Sequence, residues 1–283
     1  MPRAGVAQFT GSANWEDNIA AVQRLAARAA QAGVELLCFH ELASTVYLPF
    51  AEDRRLFELA EPEDGPSVTA ARAIARQSGL LLVYPFFEKD GEHYYNSAIV
   101  FGPHGDTLMK YRKTSIPTSR LLPAANERYF FRPGDLGFPV VETPFGVRVG
   151  LVICYDRNLP EPARCAALNG ADLLFVPVTT TTLVRPWWEL LLRARAVENI
   201  VYVAAPSRVG EDRGGAAGTF YIGESLIIDP RGEVIGHGSA DGEDLVSADL
   251  DLELLWDQRR RWTFFADRRP DLYGVLCRAQ PGR

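Results

Sequence analysis

The chain has 283 residues, 47% of them hydrophobic and 23% charged, which is enough to bury a large core and suits one large domain. A formal net charge of -6 and a pI near 5.4 argue against a duplex nucleic-acid binder, which needs a clustered basic surface. The longest apolar run, residues 80–87, is far too short to span a bilayer, and the four cysteines are scattered without metal-type spacing.

Short apolar strands alternate with amphipathic helices through the first two thirds. Residues 4–9 read as a strand, with no signal-peptide pattern ahead of them, and 15–32 read as a helix stopped by Gly33. The run 34–41 is a second strand that ends on Glu41. Gly65-Pro66-Ser67 opens a helix through residue 77, and 80–86 form the next strand. Lys89-Asp90-Gly91-Glu92 is a hairpin turn into 94–101, and Gly102-Pro103-His104-Gly105 leads to a strand ending near Lys113. Residues 114–137 are polar, proline-bearing and aperiodic, the pattern of a functional loop or lid.

Strands at 139–142 and 147–153 follow, the second running into Cys154-Tyr155-Asp156-Arg157. Residues 160–169 and 187–199 read as helices, the latter preceded by Pro186, with strands at 172–177, 200–205, 224–228, 233–236 and 245–248. The basic run Arg259-Arg260-Arg261 follows a helical apolar pattern and reads as a solvated helix end. Hairpins mixed with strand–helix units predict two packed sheets covered by helices. No G-x-G-x-x-G, Walker-type loop or G-x-S-x-G elbow is present.

Cys154 taken alone reads as a packed core thiol or as a nucleophile at a strand end. Glu41 and Lys113 also sit just past strands, and such edges can converge on one crevice. The three residue types complement one another: a carboxylate to take the thiol proton, and an ammonium to stabilise thiolate and oxyanion with help from the backbone N–H after the nucleophile. Cys38 and Cys165, inside a strand and a helix, read as packing residues. His40 would point away from Glu41 if its strand continued, which leaves a cysteine–histidine pair little support.

These residues lie in stretches similar to the motifs of the nitrilase superfamily of carbon–nitrogen hydrolases, whose members use a Glu-Lys-Cys triad. Glu41-Leu42 resembles the first motif, Lys110-Tyr111-Arg112-Lys113 the second and Leu151-Val152-Ile153-Cys154-Tyr155-Asp156 the nucleophile motif. Tyr95-Asn96-Ser97-Ala98, 195–199 and Gly223-Glu224-Ser225 add support, so the likeness covers nearly the whole chain. It implies a four-layer αββα sandwich over residues 1–283, with a tail from about residue 262 used in contacts of a homo-oligomer. It also implies that Glu127 is a second glutamate orienting Lys113 and substrate. Many relatives carry histidine where this chain has Ser115.

Tyr155-Asp156-Arg157 resembles the amidase and carbamoylase branches rather than true nitrilases, which favours amides over nitriles. In N-carbamoyl-amino-acid hydrolases an arginine at the position of Arg157 is associated with the substrate carboxylate; the alternative is an ion pair of Arg157 with Asp156 or Glu161. By the same likeness Tyr155 and the run Thr179-Thr180-Thr181-Thr182 border the pocket, and Tyr47 and Trp187 are candidates for its wall. The implied enzyme is a cytoplasmic amidohydrolase acting on a small N-carbamoyl amino acid or amine, with a carboxylamide as alternative. It needs no metal or organic cofactor, and no nucleic acid or membrane is implied as a partner.

Overall fold

Short apolar runs, buried on both faces at the sheet centres, form two six-stranded sheets set face to face in the computed structural model, which describes residues 1–117 and 125–278. Residues 118–124 of the proposed lid segment therefore lie outside the described residues. The elements in chain order are β1 (Arg3–Gln8), α1 (Trp15–Gln31), β2 (Leu36–Phe39), α2 (Pro66–Ser78), β3 (Leu81–Asp90), β4 (His93–Phe101) and β5 (Thr107–Arg112). The single turn α3 (Glu127–Phe130) precedes β6 (Val140–Glu142), β7 (Arg148–Leu151), α4 (Pro160–Leu168), β8 (Leu173–Phe175), α5 (Arg185–Asn199) and β9 (Tyr202–Ala205). The remainder is β10 (Val209–Gly210), β11 (Tyr221–Ile222), β12 (Leu226–Ile228), β13 (Val234–His237), β14 (Asp244–Asp249) and α6 (Leu252–Arg261).

The first sheet runs β14-β1-β2-β3-β4-β5 and the second β13-β12-β9-β8-β7-β6. In the first, Val6, Cys38, Val83 and Val100 are in register and share the inner face. They join one core with Val149, Leu151, Leu173 and Phe175 of the second sheet. The alternate positions Ala7, Leu37, Phe39, Leu82 and Phe101 face outward and are covered by Val22, Leu25 and Ala29 of α1 and by Val68, Ala71 and Ala75 of α2. Ala163 and Ala166 of α4, with Trp188, Leu192 and Ala196 of α5, cover the second sheet. The layers are therefore helix, sheet, sheet and helix, as the resemblance implied.

Local chemistry explains the boundaries. Asn14 caps α1 by accepting the Glu16 N–H at 3.0 Å, and Glu16 and Asp17 complement the helix dipole. Several strands are shorter than the sequence pattern predicts. β2 ends at Phe39 and β7 at Leu151, so Glu41 lies in a turn and Cys154 opens a 3-10 turn, Cys154–Asn158. The helix predicted from residue 187 begins at Arg185, with Pro186 inside its first turn. The β10–β11 ribbon was not predicted; each strand has two residues, too short for a periodic signal. No helix among the described residues is long and apolar enough to cross a membrane.

Leu36, fully buried on the inner face of β2, reports on this packing. Leu36→Ala should lower unfolding stability by about 2–5 kcal/mol, read from the denaturant midpoint, because the facing sheet cannot collapse into the void.

Candidate active site

The parallel centre of each sheet directs its C-terminal strand ends toward one crevice, and the antiparallel β5 ends there as well. Glu41 follows β2, Lys113 follows β5, Cys154 follows β7 and Thr179 lies in the segment after β8. Lys113 is fixed at that edge by its own N–H, which donates to the Asn96 carbonyl at 2.8 Å, and by its carbonyl, which accepts the Gly134 N–H at 2.8 Å. A Cβ on Gly134 would lie 2.1 Å from the Arg112 carbonyl oxygen, so this close approach requires glycine.

The side chains of Glu41 and Lys113 are fully buried and bonded to each other, Lys113 Nζ donating to Glu41 Oε1 at 3.0 Å. The same ammonium donates to Glu127 Oε2 at 2.6 Å, and Tyr47 donates its hydroxyl to Glu127 Oε1 at 2.9 Å. Asn96 Nδ2 donates to Glu41 Oε1 at 2.7 Å and the Thr179 N–H to Oε2 at 2.9 Å. Glu41 thus has both oxygens occupied and a fixed orientation.

Cys154 takes a left-handed backbone conformation, φ 46°, which costs a non-glycine residue about 1–2 kcal/mol. Its N–H donates to the Pro177 carbonyl at 2.9 Å, and its Sγ to the Thr179 carbonyl at 3.6 Å. Asp156 secures the turn. Its Oδ2 accepts from the Ile153 N–H at 3.0 Å and the Tyr111 hydroxyl at 2.7 Å, while Oδ1 accepts from Thr114 Oγ1 at 3.0 Å and the Ser115 N–H at 2.8 Å. One carboxylate therefore ties the cysteine turn to the loop that carries Lys113, and the backbone of Ser115 belongs to that tie.

Electrostatics follow from this crowding. Burial, and then the Glu41 carboxylate, push the Cys154 thiol up to about 12 against the opposing pull of Lys113 and Arg157. Burial alone would lower the pKa of Lys113, but Glu127 and Glu41 hold it well above the usual lysine range. Burial raises Glu127 despite the neighbouring ammonium. Burial, with Glu127 and Glu41, also raises the Tyr47 phenol, which stays a neutral donor.

Cys154 opens onto a cavity of about 200 Å³. Of the pocket residues proposed from sequence, Tyr47, Tyr155, Arg157, Thr179, Thr180 and Trp187 border it together with Glu127, whereas Thr181 and Thr182 do not line it. Leu183, Val184 and Leu191 make its outer wall apolar. Arg157 is 4% exposed and donates from Nη1 to the Cys154 carbonyl at 2.8 Å, with Sγ 3.6 Å away. Its guanidinium lies 5.4 Å from the centre of the Trp188 ring. The alternative ion pair with Asp156 or Glu161 is not formed; Asp156 is occupied by the four donors above, and Arg157 Nε is buried without a partner among the described residues. His40 is fully buried with its ring centre 4.2 Å from that of Phe9, and the strand that would have turned it outward has already ended. Cys38 packs in the core, but Cys165 is only half-buried on α4, a correction to its reading as a packing residue; all four cysteines are free thiols.

Sequence reasoning missed Asp156 as a tie point, Asn96 as a donor to Glu41, and the pair Arg208 and Asp212 behind the site. The first two lie in motif stretches and could have been singled out there. Arg208 carries no such signal.

With this geometry in place, known proteins supply a consistent context. The chain matches the family described as Carbon-nitrogen hydrolase over residues 3–260. It is 33% identical to an N-carbamoylputrescine amidase of Arabidopsis thaliana, covering 95% of this chain and 93% of that one. It is 37% identical to a nitrilase of Pyrococcus abyssi (91% and 93% covered) and 30% identical to a citrullinase of Francisella tularensis (98% of each). A carbon-nitrogen hydrolase structure from Helicobacter pylori G27 superposes with a TM-score of 0.90 at 31% identity, covering 98% of each chain. At a TM-score of 0.79 and 27% identity, covering 97% of this chain and 96% of that one, stands a glutamate-to-glutamine variant of the amidase from Nesterenkonia sp. AN1. That variant carries the acetamide moiety of fluoroacetamide covalently on its active-site cysteine. The chain belongs to the carbon–nitrogen hydrolase family and is an enzyme of that class.

Proposed function

We propose that this enzyme hydrolyses N-carbamoyl (ureido) compounds, preferably ureido acids, through a covalent intermediate on Cys154. The reading is carried by the Lys113 ammonium, bound by Glu41 and by Glu127, with Glu127 and Cys154 bordering one cavity and Thr179 contacting both Glu41 and Cys154. Cys154 Sγ attacks the ureido carbonyl carbon while its proton passes to Glu41, which is oriented for this by Asn96 and the Thr179 N–H. The oxyanion is met by Lys113 Nζ and by the N–H of Tyr155 in the first turn after the nucleophile. Collapse expels ammonia, which receives the proton from Glu41, and leaves an S-carbamoyl cysteine. Water, deprotonated by Glu41, displaces the thiol, and the released carbamic acid breaks down to an amine and carbon dioxide. Glu127 and Tyr47 hold the Lys113 ammonium in place throughout.

Arg157 supports the preference for acids. It is a buried cation in the cavity wall with no carboxylate partner among the described residues, and such a charge gains most from an anionic ligand. The relatives named for N-carbamoylputrescine and citrulline support ureido chemistry. We further propose a cytoplasmic homo-oligomer: Trp187, Leu190 and Val197 expose one face of α5, and the tail from Trp262 exposes Phe264, Leu272, Val275 and Leu276.

Two measurements test this function. Ammonia and carbon dioxide release are followed in parallel over N-carbamoyl amino acids, carbamoyl amines, simple amides and nitriles. Equal release of both gases from ureido acids is the expected result, and Arg157→Met should raise KM for them by about ten- to hundredfold. Ammonia without carbon dioxide, from carboxylamides alone, would contradict the ureido assignment. The second measurement is thiolate absorbance, taken as the difference between the enzyme and Cys154→Ala. A thiol held to about 12 gives no step at neutral pH. Since an unfolded cysteine ionises near about 8.5, the folded state holds a proton that the unfolded state has lost above that pH, and this contribution to stability falls as pH rises toward the folded value. A thiolate step between about pH 6 and 8 would contradict the proposed resting state.

A further inference from the structure

Arg208, just before β10, is fully buried and bridges the two halves of the site. Its Nη2 donates to three carbonyls of the turn after β2: Glu41 at 3.0 Å, Leu42 at 2.7 Å and Thr45 at 2.9 Å. Its Nε donates to Thr179 Oγ1 at 3.2 Å, and its N–H to the Val178 carbonyl at 3.0 Å. Thr179 in turn donates from Oγ1 to the Glu41 carbonyl at 3.2 Å, while its own N–H and carbonyl engage the Glu41 carboxylate and the Cys154 thiol. One guanidinium therefore connects the turn of the first sheet that carries Glu41 to the segment of the second sheet that contacts both Glu41 and Cys154.

The charge of Arg208 is balanced by Asp212 Oδ1 at 2.7 Å. Asp212 also accepts the Tyr47 N–H at 2.7 Å and the Gly11 N–H at 3.0 Å. Since Tyr47 holds Glu127, which holds Lys113, which holds Glu41, the contacts close a ring: Arg208, Glu41, Lys113, Glu127, Tyr47, Asp212 and back to Arg208. Space around it is tight, for a Cβ on Gly11 would lie 1.8 Å from Arg208 Nη1. Leu42, held by the same guanidinium, sits at φ 51°, a conformation a leucine keeps only when its surroundings enforce it.

We propose that Arg208 is a positioning residue, acting with Thr179 to set the Glu41 carboxylate against the Cys154 thiol. It touches neither substrate nor reacting atoms. The proposal rests on the roles given above to Glu41 and Cys154. A lysine in its place keeps the charge but, as a point charge, cannot reproduce the planar fork that reaches three carbonyls, a hydroxyl and a carboxylate together.

The test is steady-state ammonia release from the best-hydrolysed compound of the ureido and amide panel, with folding followed by melting temperature. Arg208→Lys should lower kcat about ten- to hundredfold with KM changed less than about threefold, since misplacement of a reacting group costs turnover rather than binding. Thr179→Val, which keeps the backbone contacts and removes only the hydroxyl link, should lower kcat in the same way, and Thr179→Ser should restore most of it. Glu41→Gln is the control. If it is inactive while folded Arg208→Lys and Thr179→Val keep kcat within about twofold of the parent, the positioning role is overturned and the site reading stands. A fall in Arg208→Lys that merely tracks loss of folded protein, with Thr179→Val fully active, overturns it too. If Glu41→Gln is active, or the panel is not hydrolysed at all, the reading beneath the proposal fails and the proposal with it.

Discussion

The buried ammonium of Lys113 between the carboxylates of Glu41 and Glu127 is the interaction on which the rest of the site depends. Removing three charges from water costs several kcal/mol per ion, and the cost is offset only if geometry is good and the remaining lone pairs are satisfied. The surroundings meet that demand. Asn96 and the Thr179 N–H occupy Glu41, and Tyr47 occupies Glu127. Burial first, and then the Glu41 carboxylate, push the nearby thiol up and favour its protonated form. Arg157, with Nη1 3.6 Å from the Cys154 sulfur, and Lys113 oppose that push.

Such a network depends on rigid elements that deliver each group. Paired sheets do so because strand ends from both layers face the same crevice, with the inter-sheet core behind them. Leu42, next to Glu41, and Cys154 both lie in the left-handed region, as do Ile200 and Glu224 away from them. Ties across the sheets hold these turns. Asp156 joins the cysteine turn to the lysine loop, and Arg208 joins the glutamate turn to Thr179.

The sandwich was legible in the sequence because its signals are local. Short apolar strands, the proline and glycine boundaries of the helices and the hairpin turn at Gly91 survive in the structure with shifts of one or a few residues. Glu41, Lys113 and Cys154 stood out because a polar or reactive residue after an apolar run is itself a local pattern. Glu127 came into view only through family resemblance, since a glutamate in an aperiodic loop carries no mark of burial. Arg208 and Asp212 stayed hidden for a stronger reason. Their partners lie up to 167 residues away at Glu41 and 201 residues away at Gly11, and no spacing in a single sequence encodes such contacts. The strand ends ran short of expectation because apolar residues continue beyond the paired strand into buried segments, as Val152 and Ile153 do, with Val152 and Cys154 still donating to the Phe175 and Pro177 carbonyls.

Under the proposed function, Cys154 is the nucleophile that carries the carbonyl of the substrate between two half-reactions. Acid quenching during turnover of a ureido acid, followed by intact-mass and peptide mass spectrometry, observes that species directly. An S-carbamoyl adduct on Cys154, absent from Cys154→Ala and decaying at the rate of turnover, is the predicted result. Sustained hydrolysis by Cys154→Ala, or an adduct confined to another residue, would contradict the account.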